Sequence, residues 1–244
     1  MEILFELEPV KSRDSLRYRI SSIAELVDWI DIPDSPMGTS RFSSPIVSCL
    51  VKSIAENTRV IAHLRVIDVS RAALESIVGS LTLCGVERIL FIRGDIVKGS
   101  TIIRDIEPED AVGTVRSLKL NIDPGLTLSL RKSIDEIMKR LRVGASFYLL
   151  LNLTSSNIDV LEYIVREAKT YNSKIYPYII LMTEKNRDKL LRLLGRDKLC
   201  EPQEAIRLAD TLKSLSLDPD GILLSSPLDF NSGLETLRVL RRIF

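Results

Sequence analysis

Eight short apolar runs, at residues 3–7, 27–32, 60–66, 89–92, 115–122, 146–153, 174–182 and 221–225, alternate along this chain with stretches of helical periodicity. This alternation constrains the fold more than any other feature, because strands separated by helices build a parallel sheet. The run at 89–92, Ile-Leu-Phe-Ile, shows no polar alternation, as expected of a strand covered on both faces. The segment before it has a cap at Ser70, apolar Leu74, Ile77, Val78 and Leu81 on one helical face, and a stop at Gly85. Residues 44–54 read the same way, with Pro45 at the first helical position and a stripe of Ile46, Val47, Leu50, Val51 and Ile54. Further helices are predicted over 127–142, with Gly144 as its stop, over 157–170 and 184–194, from Pro202 onward, and along Leu234, Leu237, Leu240 and Ile243. Eight strands with intervening helices in 244 residues predict one α/β domain, residues 1–244, folded as a (β/α)8 TIM barrel. An open doubly wound sheet is the competitor, but no Gly-x-Gly-x-x-Gly turn follows the first run.

Charge and cysteine usage exclude several function classes. The chain has 34 basic and 33 acidic residues, a net charge of +1, so nothing in the balance suggests nucleic acid or a membrane surface as a general partner. The three cysteines, Cys49, Cys84 and Cys200, are far apart with no paired spacing. They suggest neither a metal site nor a disulfide framework and are expected to be reduced, buried thiols. The chain starts on a strand-like segment with no basic region followed by an apolar signal, and no uncharged run approaches membrane-spanning length, so a cytoplasmic location is expected. A single glutamine, Gln203, and a single histidine, His63, among many charged and branched aliphatic residues fit a heat-adapted protein.

Four segments fall, in order, at the predicted carboxyl ends of strands, where binding groups collect in parallel α/β folds. They are Phe5-Glu6-Leu7-Glu8-Pro9, the loop from Asp31 through Pro33, Asp34 and Pro36, Ala62-His63-Leu64-Arg65, and the run from Gly85 to Ile92 that ends in Arg93-Gly94-Asp95. This series resembles the methylenetetrahydrofolate reductase family, flavin enzymes on a (β/α)8 barrel. That family has a Phe-Glu-x-x-Pro opening, an Asp-x-Pro loop, a His-Leu-Thr segment and a Gly-Ile-x-x-Ile-Leu-x-x-x-Gly-Asp strand end. The similarity covers about residues 1–95 and continues more faintly through Lys139-Arg140 and Gly144-Ala145.

The resemblance implies that Glu6 is the general acid that protonates the pterin nitrogen and opens the methylene bridge. Read from the residues alone, Glu6 is equally a barrel-interior carboxylate with a basic partner. His63 matches a flavin-contacting residue, although a lone histidine in an apolar strand is more often a satisfied core residue. Arg93, Gly94 and Asp95 match the flavin-contacting turn, with a solvated turn closed by an Arg-Asp ion pair as the alternative. Arg140 matches a residue reaching the dinucleotide phosphates, or is the charged end of an amphipathic helix. The implied cofactor is FAD, with FMN or no flavin as alternatives. The implied partners are a small pterin substrate and a nicotinamide or protein electron donor, and a homo-oligomer stays open.

The chain departs from the family pattern at several positions. Leu120-Asn121-Ile122-Asp123-Pro124 stands where the family has Tyr-Pro-Glu followed by His-Pro-Glu; Leu151 stands for a pterin-bonding glutamine, and Pro33 and Arg65 stand for threonines. A leucine cannot hydrogen-bond a pterin. Three readings follow: a divergent reductase in which Asp34, Asn121 or Asp123 bind the substrate, an FMN enzyme, or a cofactor-less relative that serves as a pterin-binding or partner subunit in one-carbon metabolism.

Overall fold

A computed structural model describes residues 1–8, 10–40, 42–97, 99–215 and 218–244. Its strands are β1 (Glu2–Glu6), β2 (Trp29–Ile32), β3 (Val60–Arg65), β4 (Arg88–Ile92), β5 (Asp123–Ser129), β6 (Phe147–Leu151), β7 (Lys174–Leu181), β8 (Leu199–Cys200) and β9 (Gly221–Ser225). The helices are α1 (Arg13–Ile23), α2 (Ser44–Ile54), α3 (Arg71–Leu83), α4 (Pro108–Leu118), α5 (Ile134–Leu141), α6 (Ile158–Thr170), α7 (Arg187–Leu194), α8 (Pro202–Lys213) and α9 (Phe230–Ile243). The sheet runs β6-β5-β4-β3-β2-β1-β9-β7-β8 and β6 also pairs with β7, the pattern of the (β/α)8 barrel expected from the apolar runs, with the two-residue β8 added to β7. By internal contacts the chain divides into two compact units, described in turn.

The first unit comprises Met1–Glu6, Glu25–Asp28 and Leu128–Phe244. Here β1 pairs with β9, Glu2 opposite Gly221 and Glu6 opposite Ser225, while β9 pairs with β7, Leu223 opposite Tyr178. A Cβ at Gly221 would stand 2.2 Å from the Glu2 carbonyl oxygen, so only glycine lets the two strands approach. Phe5 meets Phe230 of α9 edge-on, at 6.1 Å between ring centroids, so Ile3 and Phe5 face the helix, and by alternation Glu2, Leu4 and Glu6 face away from it. The start of α5 carries a capping box in which the Ser133 hydroxyl accepts from the Glu136 amide and the Glu136 carboxylate accepts from the Ser133 amide. The Lys132 ammonium and the Ser133 donors hold the Glu136 carboxyl down at about 2. The far end of α5 is tied down by Tyr148, whose hydroxyl donates to the Leu141 carbonyl and accepts from the Ala145 amide, both at 3.0 Å.

The second unit comprises Leu7–Ala24 and Trp29–Thr127. The Ser44 hydroxyl donates to the Ile32 carbonyl at 2.7 Å and accepts from the His63 amide at 2.9 Å, fastening the start of α2 to two strands at once. Ser70 caps α3 by accepting from the Ala73 amide, and Gly85 follows that helix with φ +75°, as the sequence predicts. Arg88 and Arg59 lie 3.8 and 4.5 Å from the centre of the Trp29 ring.

Four sequence expectations are corrected. Residues 115–122 are not a strand: α4 extends to Leu118 and β5 begins at Asp123. Ala111, Val112 and Val115 are the buried stripe of a helix that has Pro108 in its first turn and Lys119 in a left-handed conformation at its end. Pro124 and Gly125, which a strand ending at 122 would leave in a turn, lie inside β5 near its start, where a missing amide is tolerated. The helix predicted over 127–142 accordingly shrinks to α5, since Leu126 and Leu128 alternate along the strand. Finally, Cys49 and Cys84 are neither reduced nor buried: they form a disulfide between α2 and the end of α3, with Cα atoms 5.2 Å apart. Among the described residues, no helix is long and apolar enough to cross a membrane.

Candidate active site

The sequence-predicted residues fall into two groups, one in each unit. In the first, Glu6 ends β1 and is 9% exposed. Its Oε2 accepts from the Tyr178 hydroxyl of β7 at 2.8 Å, and its Oε1 accepts from the Ser225 hydroxyl at the end of β9 at 2.6 Å. The carboxyl group is thus held by two hydroxyls, partners that sequence reading missed. Ser225 closed the last predicted strand, but nothing local in the sequence points from it to Glu6, 219 positions away.

Tyr178 also lines a cavity of about 400 Å3, with Asn152 and Thr154 after β6 on one side and Cys200, Glu204 and Arg207 on the other. Asn152 has φ +65°, and its side chain donates to the Ser129 hydroxyl at 2.8 Å, so it turns out of the strand line immediately after Leu151. Burial and then the Glu204 charge push the Cys200 thiol up to about 12, which keeps it protonated and unreactive near neutral pH. Arg140 stands in the last turn of α5, where its backbone carbonyl accepts from the Tyr148 hydroxyl at 3.2 Å.

In the second unit the central pair is His63 and Asp31, whose Nε2 and Oδ1 are 2.8 Å apart. Asp31 is fully buried and His63 is 7% exposed. The sequence placed Asp31 in the right loop motif without identifying it as the partner of His63. Asp34, in the loop after β2, has its carboxyl raised above the usual range by burial, against weaker opposing contributions from the Arg65 amide, His63, Ser35 and the Arg65 charge. Its Oδ2 accepts from the Arg65 amide at 3.4 Å and its Oδ1 from the Ser35 hydroxyl at 3.2 Å.

Arg65 is 1% exposed and ties three segments together. It donates to the Asp95 carbonyl at 2.6 Å, pairs with Asp68 Oδ2 at 2.9 Å and reaches the Ser35 carbonyl at 3.4 Å. The turn that follows β4 therefore lies on a buried guanidinium. Gly94, at φ +88°, is required there: a Cβ would come within 2.7 Å of Arg65 Nε. The side chains of Arg93 and Asp95 are exposed, and no ion pair joins them among the described residues. Asp34 and Arg65 also border a cavity of about 560 Å3 lined by Ile46, Cys49, Leu64 and Ile77.

Asn121 and Asp123 are not where the sequence reading put them. With β5 running from Asp123 to Ser129, both stand at the amino end of the strand, exposed, with Asp123 Oδ2 4.0 Å from Arg88 Nε. The carboxyl end of β5 is formed by Leu128 and Ser129 instead. Pro9, the last residue of the opening motif, lies outside the described residues.

A family model for methylenetetrahydrofolate reductase matches residues 2–140, more than half of the chain. Enzymes of this family are oxidoreductases of one-carbon metabolism, generally flavin-dependent, with a small folate or pterin substrate. No curated protein matches the chain significantly. Among solved structures, 3-hexulose-6-phosphate synthase superimposes with a TM-score of 0.59 at 12% identity, each chain covered in full. A mutant tryptophan synthase alpha-subunit from the hyperthermophile Pyrococcus furiosus gives 0.59 at 11% identity, covering 99% of this chain and 95% of that one. At such identities these likenesses speak to the fold alone. The family model, together with the four motifs at strand ends, identifies the chain as a member of the methylenetetrahydrofolate reductase family.

Proposed function

We propose that this protein reduces the methylene bridge of a tetrahydropterin to a methyl group, with Glu6 as general acid. The observation that carries the reading is the Glu6 carboxyl group at the end of β1, 9% exposed and held at both oxygens by hydroxyls that can follow either protonation state. A proton from Glu6 to the bridged pterin nitrogen breaks one C–N bond and leaves the carbon as an iminium on the second nitrogen, ready to accept hydride. The Tyr178 and Ser225 hydroxyls fix where that proton is presented.

The residues present fit a flavin. Gly94 brings backbone close to a buried cation, Arg65, while Arg93 and Asp95 offer one exposed charge of each sign. His63, Arg93, Gly94 and Asp95 would hold the flavin, and the bound flavin would supply the hydride; Arg140, in the last turn of α5 beside the start of β6, is dropped as a contact. FAD, with FMN as the alternative, is what the family resemblance implies for that site. Asp34 is retained as the substrate contact; Asn121 and Asp123 are dropped, since both lie at the amino end of β5. The second reading, a cofactor-less pterin-binding partner, draws on Leu151 in place of a hydrogen-bonding side chain.

The test is Glu6→Gln. Turnover of methylene-tetrahydropterin should fall by about 10²–10⁴-fold while the visible flavin spectrum of the purified protein stays unchanged. Unaltered turnover overturns the assignment, and a colourless protein that retains no added flavin transfers the argument to the partner reading.

A further inference from the structure

His63 and Asp31 form a buried pair whose two halves differ in what can reach them. The Asp31 side chain has no exposure, while the His63 side chain keeps 9%. A ligand that comes to this pair therefore meets the imidazole and not the carboxylate. The histidine is held at two points: its amide donates to the Ser44 hydroxyl at 2.9 Å, and its Nε2 lies 2.8 Å from Asp31 Oδ1. Asp31 Oδ2 is buried with no hydrogen-bond partner among the described residues, so the pull of this carboxylate for a donor falls on Nε2. A buried carboxylate opposite Nε2 places the ring's proton there, which sets the tautomer, and the direction of that bond sets the rotation of the ring.

We propose that Asp31 is a positioning residue of the flavin site, fixing the tautomer and rotation of the His63 ring from a place that the flavin does not touch; the proposal rests on the reading of His63 as a flavin contact. Asp31 stands opposite Ile61 in the β2–β3 register, and by alternation Ile61 and His63 share a face of β3. The carboxylate thus comes to the ring from the neighbouring strand. Residues on paired strands hold a ligand-contacting group more precisely than residues on a loop do. A ring left to rotate would have to be ordered when the flavin binds, and the lost entropy would weaken the affinity. The comparison of motifs gives Asp31 no such task.

The experiment combines magnetic resonance of the full chain, labelled with a heavy nitrogen isotope, with FAD titrations followed by flavin fluorescence. His63 is the one histidine in the sequence, so every imidazole signal is its own. Wild type should show a protonated Nε2 carrying a slowly exchanging downfield proton, with or without FAD. Asp31→Ala should lose that protected proton and bind FAD roughly tenfold more weakly, the equivalent of one hydrogen bond, and Asp31→Asn should fall between. In a His63→Gln background the Asp31→Asn change should cause no further loss, because Asp31 acts through the ring. The positioning role is overturned by an unprotonated Nε2 in wild type, by wild-type FAD affinity in either folded Asp31 variant, or by an equal loss in the His63→Gln background. Each of these results leaves His63 standing as a contact. A His63→Gln protein that binds FAD as wild type does, or a wild type that binds no FAD, removes the flavin-contact reading and the proposal with it.

Discussion

Asp31 Oδ1 lies 2.8 Å from His63 Nε2, and the Asp31 carboxylate has no exposure to solvent. The histidine that the motif singled out is therefore also a structural residue: its ring bonds a strand neighbour and its amide bonds Ser44. Removing one member of such a buried pair takes a close partner from the other. Asp31→Ala should cost about 3–5 kcal/mol, read from the shift in a urea unfolding midpoint, and Asp31→Asn distinctly less because it keeps a hydrogen-bonding group in place. Equal losses in the two variants would mean that the pairing itself contributes little.

The disulfide between Cys49 and Cys84 closes a loop across a sequence separation of 35. Loop-closure entropy gives such a link about 3–4 kcal/mol. Reduction, or Cys49→Ser, should lower Tm by roughly 7–14 °C in a chain of this size. Thiol counting provides the chemical check. The chain has three cysteines, so one thiol should titrate in denaturant without reductant and all three after reduction.

Gly94 sits over Arg65 in a left-handed conformation. Gly94→Ala forces its Cβ against the guanidinium and strains the backbone as well, a cost of about 1–3 kcal/mol. The turn should shift, and flavin retention after gel filtration should fall more than global stability does. Retention equal to wild type would detach this turn from the cofactor.

Asp34 carries a folded-state pKa raised by burial. The sign follows directly: a carboxyl whose pKa is higher folded than unfolded destabilises the fold when ionised, a cost present above the folded pKa and gone below the unfolded value near 3.9. Asp34→Asn should therefore be at least as stable as wild type at pH 7, with its relative advantage vanishing as pH falls below about 4. A stability difference that does not change with pH contradicts this assignment.

The barrel was legible because its strands are apolar runs bounded by turn residues, and Ser70, Gly85 and Pro45 signalled helix ends through chemistry that acts within one turn. The failures share a cause. At 115–129 the apolar residues fit either period, and the helix won because Pro108, Glu109 and Asp110 favour its start, while the strand was completed by partners distant in sequence. The same holds for the candidate site. Glu6, His63 and Gly94 were visible through motifs, whereas Tyr178, Ser225, the Asp31–His63 bond and the Cys49–Cys84 link depend on which strands and helices become neighbours. The amino-end position of Asn121 and Asp123 followed from the strand error, since shifting the element exchanged one end for the other.

The two-residue β8 attaches where β7 has outrun β6. Residues 174–177 of β7 pair with β6, and Ile180 and Leu181 pair with Leu199 and Cys200. The returning chain thus contributes a piece of wall fixed by its own pairing to the last residues of β7. Within segment 195–201, Leu199 packs with Met182 and Leu190, so a change in this short strand alters the cavity wall and the packing beneath α7 together.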